Sequence, residues 1–144
     1  MNAPIVKPIL IAEDNDEDYA MIIEGLRLAN VQHPVQRVVD GESCLAALNK
    51  IAGKRRLEAA FLLLDLNLPG IDGRTILAEI KQMPQLRALP IIVFTTSANP
   101  VDIASCYRSG ANSYHLKPLE VPAFRRVIQE IANYWLRTVI LPMA

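Results

Sequence analysis

The sequence predicts an α/β domain with a parallel sheet, and three observations support that. Apolar runs of strand length alternate with longer segments of helical period, five times over. Runs such as FLLL and IIVF are apolar on successive residues, as in strands covered on both faces. The chain has 144 residues, 51% of them hydrophobic, which is enough to bury one sizeable core.

Each element follows from its own stretch. PILIA (Pro8 to Ala12) is the first strand, followed by a helix that buries Tyr19, Ile22, Ile23 and Leu26, with Asp16 as its expected cap. VQRVV (Val35 to Val39) is the second strand. Asp40-Gly41 then turns into a helix carrying Cys44, Leu45, Leu48 and Ile51. AAFLLL (Ala59 to Leu64) is the third strand, and Pro69-Gly70 breaks the chain before a helix from about Asp72 with an Ile76, Leu77, Ile80 stripe. IIVFT (Ile91 to Thr95) is the fourth strand, and Pro100 opens the next helix, which Gly110 closes. NSYHL (Asn112 to Leu116) is the fifth strand, and a last helix begins near Glu120. With no repeat or linker, one domain is expected over 1–144: a core of about 7–133 and a C-terminal extension, 134–144.

Composition narrows the function. Lys+Arg 15 balance Asp+Glu 15, which argues against a nucleic-acid-coating surface. The one basic cluster, Lys54-Arg55-Arg56, falls in an expected loop. No apolar run approaches the ~18 residues of a membrane span, and the N-terminus does not resemble a signal peptide. Cys44 and Cys106 lack metal-ligand spacing and are expected as reduced thiols. That suits a cytoplasmic protein binding neither membrane nor nucleic acid.

In open parallel sheets, ligands bind beyond the carboxyl ends of the strands. Glu13 and Asp14 follow the first strand and Asp65 the third; Thr95 ends the fourth, and Lys117 follows the fifth. Clustered carboxylates favour a hard divalent cation, Mg²⁺ best, with Asp14 and Asp65 as direct ligands and Glu13 direct or through water. A carboxylate such as Asp65 can also attack a phosphoryl group, with Thr95 and Lys117 holding the remaining oxygens.

With these residues in place, the chain resembles the receiver domains of two-component response regulators. ILIAEDN resembles the acidic-pair motif, LLLDLNLPGIDG the phosphoacceptor segment, LPIIVFTTSA the switch-hydroxyl strand and YHLKP the Lys-Pro motif. The resemblance spans Ile9 to about Ile131. It implies a doubly wound, flavodoxin-like five-stranded sheet of order 2-1-3-4-5. It also implies Mg²⁺-dependent phosphotransfer from a histidine kinase to Asp65. By the same likeness Asn67 offers its backbone carbonyl to the metal and the Lys117–Pro118 peptide is cis. Tyr114 is then the aromatic whose inward or outward rotation accompanies Thr95 moving toward the phosphate. Output would leave through the face of the fourth helix, fifth strand and fifth helix. Such a protein accepts a phosphoryl group and removes it again, but is not a dedicated enzyme.

Three positions depart from or tune that pattern. Thr96 stands where a smaller residue is commoner, and Asn67 and Ser97 occupy the positions that set attack by water in this family. The ending YWLRTVILP resembles single-domain response regulators paired with phytochromes, so a phytochrome kinase is one expected partner. Tyr134, Trp135, Leu136, Val139, Ile140 and Leu141 would otherwise face water and are expected to form a homodimer interface. No chain is then left for a separate output domain. Two other readings compete: a phosphohydrolase with an Asp nucleophile, disfavoured by Asn67 two residues after Asp65, and a receiver-shaped docking protein acting independently of phosphorylation.

Overall fold

The structure is a computed structural model that describes residues 6–142. The ends of the domain expected over 1–144, residues 1–5 and 143–144, lie outside the described residues. Strands β1 (Ile9–Ala12), β2 (Val35–Val38), β3 (Leu62–Leu64), β4 (Ile91–Thr95) and β5 (Ser113–Leu116) alternate with helices. The helices are α1 (Asp16–Leu28), α2 (Gly41–Ala52), α3 (Gly73–Gln82), α4 (Pro100–Arg108) and α5 (Val121–Asn133). The strands pair in parallel in the order β2-β1-β3-β4-β5, the doubly wound arrangement.

Strand periodicity explains why the sheet is covered twice. In β1, Leu10 and Ala12 enter one core with Leu62, Leu64, Ile91 and Val93, alongside Leu48 of α2 and Ile76, Leu77 and Ile80 of α3. Ile9 and Ile11 enter the other with Leu63, Ile92 and Phe94, alongside Ile22 of α1 and Phe124, Ile128 and Ile131 of α5. Phe94 and Phe124 meet edge to face with ring centroids 5.0 Å apart. Each such fully buried side chain contributes about 1.5–3 kcal/mol. Cys44 and Cys106 are free and buried, and burial pushes the Cys44 thiol up to about 12.

Element ends differ from expectation where side chains decide them. Asn15, not Asp16, caps α1: its side chain accepts the Asp18 N–H at 2.8 Å, while Asp16 is already helical and its carboxylate pairs with Arg37. β3 begins at Leu62 rather than Ala59, although Ala60 N–H already donates to Pro8 O. Beyond β3 the chain turns at Gly70, whose φ of +75° lies in the left-handed region. Gly73 then brings α3 close against the strand end: a Cβ there would stand 2.7 Å from Leu66 Cα.

The C-terminal segment departs most. After Asn133 the helix widens into a π-helical turn, Tyr134–Thr138, and the chain folds back along its own domain. Trp135, Leu136 and Leu141 pack against the α1/α5 core, and Val139 is also half-buried. Arg137 hooks back by donating to the carbonyl of Ala29 at the end of α1. Of the six residues expected at an interface, only Tyr134, at 50% exposure, and Ile140, at 93%, face water freely.

Candidate functional site

The strand order reverses between β1 and β3, so loops leaving their carboxyl ends diverge and open a crevice. Glu13 and Asp14 leave β1 there and Asp65 leaves β3. Glu13 N–H donates to Val38 O, and Asp65 N–H donates to Ala12 O at 3.1 Å. These bonds extend the ladder by one residue and set the acids at the lip of the sheet. Thr95 closes β4, and Lys117 N–H donates to Thr95 O at 2.7 Å, which fixes where the lysine leaves β5.

The amine of Lys117 is the hub. Its Nζ lies 2.6 Å from Glu13, 2.9 Å from Asp65 Oδ2 and 2.9 Å from Asp18 on α1, so all three ammonium donors find a carboxylate. Lys117 is 9% exposed, Asp65 6% and Glu13 1%, whereas Asp14 stands open to solvent. Asp65 Oδ1 also accepts the Asn67 N–H at 3.2 Å. Burial pulls the lysine pKa down, but the hydrogen bonds to Glu13, Asp18 and Asp65 outweigh it and hold the amine charged above the usual lysine range. Burial also pushes Glu13 up to about 7, against the lowering bond and charge of Lys117.

Carboxylate oxygens of Glu13, Asp14 and Asp65 all come within 4.8 Å of one another. Like charges about 4 Å apart repel by roughly 4 kcal/mol near a protein surface. Asp18 adds a fourth carboxylate, and one ammonium cannot neutralise four. An all-oxygen donor set with excess negative charge and one solvent-facing member suits a hard divalent cation that retains waters.

Beside this pocket lie Thr95, Ser97 and Tyr114, linked by hydrogen bonds. Thr95 is fully buried, and its Oγ1 takes a long contact from Ser97 N–H at 3.5 Å. Tyr114 is half-buried against the core, and its hydroxyl donates to Ser97 O at 2.7 Å, so the ring is turned inward. No peptide bond among the described residues is cis, so the expectation for Pro118 is corrected: Lys117–Pro118 is trans. Trans is the lower-energy isomer by about 0.5–1 kcal/mol. The Lys117 amine reaches Asp65 from that backbone without the rarer isomer.

A family model described as the response regulator receiver domain matches residues 9–129. The chain belongs to that family. The receiver is 37% identical over 139 residues to response regulator Rcp1 of Synechocystis, covering 96% of this chain and 95% of Rcp1. Its structure superposes on the phosphorylated cyanobacterial phytochrome response regulator RcpA with a TM-score of 0.87 at 37% identity, covering 96% of this chain and 99% of that one. The Mn²⁺-bound form of Rcp1 gives 0.86 at 36% identity, covering 94% and 99%. Receivers are signalling proteins of two-component systems rather than dedicated enzymes.

Two features of this receiver were missed in the sequence. Asp18 reaches Lys117 because, four residues after Asp14, it sits in the first turn of a helix that starts at the same lip; that spacing was the available signal. The second is a polar tie between α3 and α4. Arg74 forks onto Asp102 with two bonds of 2.7 Å, and Ser97 Oγ–H donates to the same carboxylate at 2.6 Å. Hydrogen bonds from Arg74 and then Ser97 hold the Asp102 carboxyl well below the usual range. No spacing in the sequence announces this pair, whose members are 28 residues apart.

Proposed function

We propose that Asp65 is the phosphoacceptor of a phosphotransfer from a sensor histidine kinase, with Glu13, Asp14, Asp65 and the Asn67 carbonyl as the Mg²⁺ site. The observation that carries this reading is the Lys117 ammonium donating to a buried Asp65 beside two more carboxylates. An Asp65 carboxylate oxygen attacks phosphorus, the P–N bond to the kinase imidazole breaks, and the electron pair returns to the ring nitrogen. Lys117 then moves its donor from the carboxylate to a phosphoryl oxygen, and the Thr95 hydroxyl turns to another. Bound Mg²⁺ supplies charge neutralisation on the phosphoryl oxygens. Water later hydrolyses the acyl phosphate under the control of Asn67 and Ser97, returning the receiver to its resting state.

The reading extends to partners. The likeness to phytochrome response regulators supports a phytochrome-type kinase as donor, and a cytoplasmic location follows from such a partner. Val101, Tyr107, Leu116, Leu119 and Val121 are exposed along α4, β5 and the approach to α5, which supports that face as the output surface. The exposed Tyr134 and Ile140 support a homodimer through the C-terminal segment, within a single working unit spanning 1–144.

The test is intact mass after incubation with Mg²⁺ and acetyl phosphate or phosphoramidate. A phosphate-sized adduct is expected on the parent chain and is lost in Asp65→Asn. No adduct on either would favour docking without phosphorylation. Transfer from a panel of phosphorylated kinases then identifies the donor.

A further inference from the structure

A line of polar contacts runs from Tyr114 to α3 without entering the acidic pocket. Tyr114 OH donates to Ser97 O at 2.7 Å; Ser97 Oγ–H donates to Asp102 Oδ2 at 2.6 Å. Asp102 is gripped by Arg74 through Nε to Oδ1 and Nη2 to Oδ2, both 2.7 Å. The third guanidinium nitrogen of Arg74 bonds Asp72, the cap of α3, at 3.0 and 3.1 Å. The same Ser97 sends its N–H toward Thr95 Oγ1. One residue therefore touches both Thr95 and Tyr114, and its own side chain is held from the far side by an ion pair.

An exposed ion pair stabilises a fold only slightly. A planar guanidinium fork engaging both oxygens of one carboxylate fixes position instead. Here the fork is braced by the helix cap, and Asp102 is shielded to 16% side-chain exposure. Its Oδ2 accepts the Ser97 hydroxyl and so tethers the residue whose backbone carbonyl receives Tyr114.

We infer that Arg74 and Asp102 are positioning residues for the switch, holding Tyr114 inward through Ser97 and so favouring the phosphorylated conformation. The inference rests on the proposed phosphoacceptor role of Asp65, with Thr95 moving toward the phosphoryl group when Tyr114 is inward. Contacts made better in one conformer shift the population toward it, and the coupling is reciprocal: whatever binds at Asp65 and the closed clamp favour each other by the same factor.

The experiment uses the full chain labelled with 3-fluorotyrosine, the Tyr114 resonance being assigned by its loss in Tyr114→Phe. It is titrated with beryllofluoride in Mg²⁺, an acyl-phosphate mimic whose binding is not affected by changes in hydrolysis. Asp102→Ala and Ser97→Ala are each expected to weaken binding about fivefold. Each should also move the Tyr114 resonance toward its solvent-exposed position. The double variant should be no worse than either single, because both break one path. In the Tyr114→Phe background, Asp102→Ala should change affinity less than about twofold. Equal losses in both backgrounds, or a Tyr114 resonance that stays put, would overturn the inference. A parent chain that binds no beryllofluoride counts against the phosphoacceptor reading, and the Tyr114 resonance alone then decides the clamp.

Discussion

Glu13 is almost wholly enclosed beside Lys117, and burial pushes its pKa up to about 7 from an ordinary 4.5. The fold therefore tolerates the protonated form better than the ionised one. The contribution of Glu13 to stability is full below 4.5 and is lost as pH rises through about 7. A divalent cation reverses this, because it binds the ionised carboxylate and competes with the proton. The increase in Tm produced by Mg²⁺ should thus be larger above pH 7 than below it. Affinity should fall toward a limit of about tenfold per pH unit on the acid side. Glu13→Gln should bind Mg²⁺ more weakly with a flatter pH profile, read by thermal shift. Glu13, Asp14, Asp65, Thr95 and Lys117 were legible in the sequence because each is a polar residue at the end of an apolar run. Asp18 and the Arg74–Asp102 pair were not, because their partners are chosen by how α1, α3 and α4 cross the sheet.

The βα loop that carries Asp65 depends on how closely α3 approaches it. Gly73 N–H donates to Leu66 O at 2.9 Å, and a Cβ at Gly73 would sit 2.7 Å from Leu66 Cα. Gly73→Ala must displace that backbone, and a cost of about 1–3 kcal/mol is expected from urea unfolding. Phosphorylation by acetyl phosphate should slow in the same variant, because the residue next to the shifted one is Asp65, the proposed acceptor. The strands were readable as elements because their apolar runs are short and bounded by Gly, Pro and Asp. Their ends were less readable, since a ladder bond can continue past the last strand residue, as at Asp65 N–H. The π-helical turn at Tyr134–Thr138 had no signature either: apolar spacing after Val127 fits a continuing helix. The backward fold of Arg137 onto α1 is decided by a long-range bond.

For the molecule as a whole, the five-stranded sheet separates two cores, and helices close both faces. The C-terminal segment completes the α1/α5 side, so its Trp135, Leu136 and Leu141 serve the domain's own packing first. This changes how the proposed dimer should be tested. Cutting the chain after Asn133 would remove Trp135 and the Arg137 hook along with any interface. A charged replacement at the fully water-facing position, Ile140→Glu, leaves that packing intact, whereas Tyr134→Glu would remove its edge-to-face contact with Trp135. A fall from dimer to monomer mass in multi-angle light scattering is expected for Ile140→Glu. Fold stability should change by no more than about 0.5 kcal/mol, as for surface substitutions elsewhere.

The bond from Lys7 Nζ to Pro142 O, 2.9 Å long, joins residues that are 135 positions apart. Lys7 lies just before β1, at the rim opposite the one where Glu13 and Asp65 emerge. The described chain thus leaves from and returns to one side of the molecule, roughly a strand's length from the acidic pocket. A few residues of linker would close it into a ring without crossing a layer, and the exposed Lys54–Arg56 loop offers a place to reopen it. Every strand would keep its neighbours in such a permuted chain.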